Sequence, residues 1–73
     1  MQINDCLVDT AHTGNYIYRS GAKNSPESGS GGIILTWGFD QVYTARICVT
    51  TFGTVFTSIY QPGISYGTWQ KRG

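Results

Sequence analysis

This 73-residue chain has few charges: five Lys and Arg, four Asp and Glu, and a net charge of +1. Charged residues make up 12% of it, against about 25% in an ordinary soluble domain. With no basic stripe to displace counterions from phosphates, nucleic acid is not the expected partner. Lys71-Arg72 is an isolated C-terminal pair. One histidine, His12, and two distant cysteines, Cys6 and Cys48, do not form a metal-ligand spacing. No metal or cofactor is expected. No apolar run approaches the length of a membrane span. "MQINDCLVD" has no basic region leading into an apolar stretch, so no secretory signal is read and synthesis in the cytoplasm is expected. In a reducing compartment the cysteines are expected as free, partly buried thiols, with a Cys6–Cys48 bridge as the alternative.

Catalytic groups are equally scarce, and no enzyme is expected. The only carboxylates are Asp5, Asp9, Glu27 and Asp40. A glycosidase needs two of them facing each other across a cleft. Asp9 and Asp40 both sit at turns, where Asp more commonly accepts from backbone amides. No nucleophile elbow supports a triad built on His12, which reads as a surface loop residue.

"NSPESGSGG", Asn24 to Gly32, has no hydrophobic side chain. Read as a linker, it would leave two units too small to fold alone. Read as a phosphate cradle, it lacks the Lys-Ser or Lys-Thr and the following helix. The remaining reading is one domain, 1–73, with a long surface loop at 24–32. Such loops are often functional or mobile.

What the chain does have is strand pattern. β-branched and aromatic runs, several of them alternating, predict strands at Gly14–Ser20, Gly32–Gly38, Gln41–Thr50, Thr54–Tyr60 and Ile64–Gln70. In the third run Tyr43, Ala45, Ile47 and Val49 face one way, and Thr44, Arg46 and Thr50 the other. Gly38-Phe39-Asp40, Phe52-Gly53 and Pro62-Gly63 supply turns. The expected fold is all-β: a small antiparallel meander, sandwich-like, running through Ile33 to Tyr60. The one candidate for a helical turn is Asn4–Asp9, capped by Asn4.

Several strands are apolar on both faces. Val55, Phe56 and Ile59 cannot share a side, and Ile34 opposes Ile33 and Leu35. A small sheet has one inner face to bury, so the second is expected to meet another subunit. Low charge points the same way.

Aromatics are plentiful: two Trp, five Tyr and three Phe. Most serve a core. Any left at the surface offer flat platforms to sugar rings, with neighbouring amides and hydroxyls for the sugar's own hydroxyls. The candidate ligand-binding residues are Tyr60 and Gln61 beside the Pro62-Gly63 turn, Tyr66, and Arg46, read as outward-facing.

The order of four segments resembles the small β knob domains of phage tail-fibre tips and R-type pyocin fibres. "LVDTAHTGNYIY" (Leu7–Tyr18) holds a T-x-G-x-Y turn and strand. "NSPESGSGGIIL" (Asn24–Leu35) is an N-x-P loop with glycines before an apolar strand. "QVYTAR" (Gln41–Arg46) is a Q-x-Y strand. "GTWQKR" (Gly67–Arg72) ends the domain in a Trp and basic residues. The similarity spans nearly the whole chain. Where the family pattern ends in two tryptophans, this chain has Tyr66 and Trp69, and Cys6 and Cys48 have no counterpart. The resemblance implies a homotrimeric, non-catalytic tip on a virion's tail fibre. It would bind bacterial surface polysaccharide or protein, or help fold and cap the fibre, and would insert into no membrane. It places the 24–32 segment as a variable loop of the knob. No receptor residue carries over.

Overall fold

The computed structural model describes residues 1–39, 43–63 and 65–72. They form one mixed sheet of seven strands: β1 (Gln2–Asp5), β2 (Gly14–Lys23), β3 (Gly32–Phe39), β4 (Tyr43–Thr50), β5 (Val55–Gln61), β6 (Ser65–Tyr66) and β7 (Gln70–Lys71). The strand order is β1-β2-β3-β4-β5-β6, and β7 also pairs with β5. The expected all-β character holds. The centre is the antiparallel meander read from the alternation, with Leu35 opposite Ile47 and Ile47 opposite Thr57.

Four features depart from the sequence reading. The layers are not a sandwich: the sheet is single, and the chain is a slab of 30 × 24 × 16 Å. β1 is an added strand, parallel to β2, with Gln2 opposite Ile17 and Ile3 opposite Tyr18. Its four residues, QIND, are too few to show alternation. The last predicted strand is two short ones, because Gly67 takes φ 84° between them. The expected turn at Asn4–Asp9 is a 3-10 turn at Val8–Thr10 without a side-chain cap. Asn4 lies in β1, and the carboxylate of Asp5 accepts from the amides of Leu7 and Val8 instead. The carboxylate of Asp9 accepts from the amides of Asn4 and Asp5, as its place at a turn predicts. Asp40 and Gln41 lie outside the described residues.

The parallel β1–β2 pair requires a crossover. Residues 6–13 supply it and pass over one side of the sheet. That side holds the core: Ile3, Cys6, Tyr16, Tyr18, Ile34, Cys48 and Phe56, with Ala22 and Trp69 packed against it. Gly32 lies where the sheet leaves no room for a Cβ. A Cβ there would sit 2.6 Å from the Val49 carbonyl and 3.0 Å from the Tyr18 ring.

The 24–32 loop is tied down along its length. Asn24 starts it at φ 57°, a conformation Asn tolerates. The Asn24 side chain donates to Asp5, and its carbonyl accepts from Trp69 Nε1 at 2.8 Å. Glu27 accepts from the hydroxyls of Thr50 at 2.9 Å and Thr54 at 3.2 Å, across the β4–β5 turn. Ser30 is fully buried.

Candidate functional site

The open face of the sheet is apolar, whereas the covered face mixes the hydrophobic core with buried polar side chains. Register places Ile17, Ile33, Val49 and Val55 in one row across β2 to β5, and Leu35, Ile47 and Thr57 in the next. Trp37, Ala45 and Ile59 form a third. This face has no described element over it. Ile17 is 49% exposed, Ile33 53%, Leu35 37%, Trp37 45%, Ile47 37% and Val49 44%. Val55 and Ile59 are half-buried beside them, while Phe56 turns into the core. The apolar second face read from Ile33, Leu35, Val55 and Ile59 is therefore present, continuous and open.

The covered face carries the polar side chains. Thr36, Thr44, Arg46, Thr50 and Ser58 are all buried. Polar residues on an alternating strand usually face water, which predicts Arg46 outward. The structure corrects this: Arg46 is 6% exposed beneath the crossover. Its Nε donates to Thr10 Oγ1 at 2.7 Å, its Nη1 to Ser58 Oγ at 3.3 Å, and its Nη2 to the Leu7 carbonyl at 3.0 Å. Ser58 in turn donates to the Gly67 carbonyl at 2.8 Å. One guanidinium thus joins the crossover to the C-terminal segment. Burial pulls its pKa down, with the nearby Tyr16 opposing, but a guanidinium keeps its proton. Its donors are engaged inside the fold, so a ligand at the surface does not meet them. Directly opposite, on β3, the buried Thr36 hydroxyl has no hydrogen-bond partner among the described residues.

The other candidates cluster at the far end of β5. Tyr60 is 36% exposed and Gln61 is half-buried. They precede a turn at Pro62-Gly63, where Gly63 takes φ 82°. Tyr66 sits opposite Tyr60 on β6, and its side chain lies outside the described part. Backbone pairing therefore brings Tyr60, Gln61 and Tyr66 to one corner, while Arg46's head group lies buried beneath it near Gly67.

The cysteines are free and fully buried. Burial pushes the Cys6 thiol up to about 12 and raises that of Cys48 as well. Tyr18 Oη lies 3.4 Å from Cys48 Sγ. Among the described residues no three His, Cys, Asp or Glu side chains gather as a metal site, and no helix is long and apolar enough to cross a membrane. Comparison of the chain with family models, with curated proteins and with solved structures finds no match.

Proposed function

We propose that this chain is a non-catalytic assembly and attachment module, the tip domain of a phage or phage-derived tail fibre, acting as a homotrimer on a virion. Its ligand is a bacterial surface glycan. The open apolar face supports this reading most strongly. Six apolar side chains, each between 37% and 53% exposed, lie in adjoining rows on neighbouring strands. Contiguous patches of this kind mark interaction surfaces. Three copies about a threefold axis would bring three flat faces together and close the assembly. The assignment to a fibre tip rests on the order of the four sequence segments. Glycan contact is placed at the Tyr60-Gln61 corner, which offers an exposed ring beside an amide and a tight turn. The apolar face equally supports a second reading, a trimerisation module with no ligand of its own.

Light scattering tests the assembly. A trimer would have three times the 8.0 kDa mass of the protomer. Leu35→Lys, which puts a charge at the middle of the face, should dissociate it. A wild-type monomer would refute the face argument and move a free-standing carbohydrate-binding module to first place. Tyr60→Ala should lower fibre adsorption while the trimer persists; loss of the trimer would make Tyr60 structural. Undiminished adsorption by a fibre carrying an unrelated trimeriser in this domain's place would favour the purely structural reading.

A further inference from the structure

The β1–β2 edge holds a groove on the opposite side of the sheet order from the Tyr60 corner. β1 pairs with β2 at Ile3↔Tyr18 and again at Asp5↔Lys23. Between these points β1 contributes Asn4 alone, while β2 contributes Arg19, Ser20, Gly21 and Ala22. The surplus backbone must bow outward. Gly21 makes the bend at φ 92°, a region that residues with a Cβ rarely enter. The result is a depression of about 380 Å³. That falls inside the range of roughly 300–1,000 Å³ usual for small-molecule sites.

Its lining is selective. Half-buried Ala22 contributes apolar surface, beside Ile3, whose side chain is packed in the core. Gln2, Asn4 and Ser20 contribute amides and a hydroxyl, which both donate and accept. Arg19 and Lys23 are two of only five cations in the chain, and no carboxylate lines the groove. Asp5 lies near Lys23, but its carboxylate is occupied by the amides of Leu7 and Val8 and the side chain of Asn24. Neither cationic head group makes a hydrogen bond or ion pair among the described residues. Arg46 is buried and Arg72 bonds Thr57, so these two are differently placed from both.

We propose that this groove binds an acidic sugar residue, a hydroxylated ring carrying a carboxylate or phosphate. Arg19 offers a planar fork to the oxyanion, and Lys23 a second positive charge. Gln2, Asn4 and Ser20 meet the hydroxyls, and the apolar surface takes a C–H face of the ring. This rests on the reading that the domain contacts bacterial surface glycan, and it names the class of glycan.

The test is a titration of the intact domain, followed by backbone amide NMR, with a galacturonate trisaccharide, glucose 6-phosphate, the neutral galactose trisaccharide and inorganic phosphate. At least one acidic sugar should shift the amides of Arg19 to Lys23 and bind roughly tenfold more tightly than the neutral one. Arg19→Gln/Lys23→Gln should weaken that binding roughly tenfold. Both side chains are exposed, so its thermal midpoint should match wild type. Four results would overturn the assignment: no response to either acidic sugar, equal binding of the neutral one, undiminished binding by the double variant, or inorganic phosphate binding as tightly as the sugars. An edge-guarding role for the two cations, which keeps other strands from pairing, would leave the titration silent. Fibre adsorption separates this inference from the proposed function. Full adsorption by the double variant would overturn the groove and spare the glycan reading. A positive titration with a wild-type fibre that adsorbs to no cell would do the reverse.

Discussion

Replacing Arg46 in two ways separates its charge from its volume. The guanidinium makes three hydrogen bonds beneath the crossover, at 2.7, 3.3 and 3.0 Å. Bonds from a charged donor contribute about 1.5–3 kcal/mol each. Burying the cation costs several kcal/mol, and all three acceptors are neutral, so the two contributions largely cancel. Arg46→Met keeps most of the side chain's bulk and removes the charge. It orphans little. The Thr10 hydroxyl still donates to the carbonyls of Cys6 and Leu7, Ser58 still donates to Gly67, and the Leu7 carbonyl still accepts from Thr10. Its stability should lie within about 1.5 kcal/mol of wild type. Arg46→Ala also removes the stem, leaves a cavity under residues 7–10, and should cost about 3 kcal/mol or more. A gap of about 2 kcal/mol between the variants is roughly 8–16 °C in midpoint for a domain this small. Urea and thermal unfolding followed by tryptophan fluorescence would measure it. Protein concentration must be held fixed, because an oligomer's stability depends on it. If Arg46→Met falls as far as Arg46→Ala, the charge itself holds the crossover and the cancellation is wrong.

Three further outcomes are expected. Burial raises the Asp5 pKa, but hydrogen bonds from Val8, Asn24 and Leu7 and the charge of Lys23 outweigh it and hold it below the ordinary carboxylate value. The folded state therefore binds this proton more weakly than the unfolded state. The stabilisation is complete above the unfolded value and disappears as pH falls through the folded one, so the gap between wild type and Asp5→Asn should shrink between pH 7 and pH 3; a gap that stays constant would refute it. A thiol reagent at pH 8 should label neither Cys6 nor Cys48 until the chain is unfolded, since both are fully buried with raised pKa values, and rapid native labelling would count against that core. Glu27→Gln leaves one of the two acceptor oxygens that serve Thr50 and Thr54, and should lower stability by about 1 kcal/mol in a thermal shift assay, whereas no change would mean the loop is held without them.

The central strands were legible because their pattern is local. Tyr16 and Tyr18 flank Ile17, and β4 alternates from Tyr43 to Thr50, so strand identity and the division into two faces can be read residue by residue. The Gly53 and Gly63 turns were legible for the same reason: only a residue without a Cβ takes their positive φ easily. β1 was not legible. Its short segment has no periodicity, and its partner lies more than ten residues away on β2. The cationic groove was missed with it, because it exists only where β1 and β2 fall out of register. Arg46 shows the deepest limit. Alternation reports that two faces differ, not which of them is covered. Residues 6–13 cross the face that holds Ile34, Phe56 and Arg46, so Arg46, Thr36 and Ser58 are inside with the core, and Ile33, Leu35 and Ile47 are left open. The pattern along the chain determined the strands and the opposition of their faces. The crossover, a contact between segments distant in sequence, decided which face became the interior.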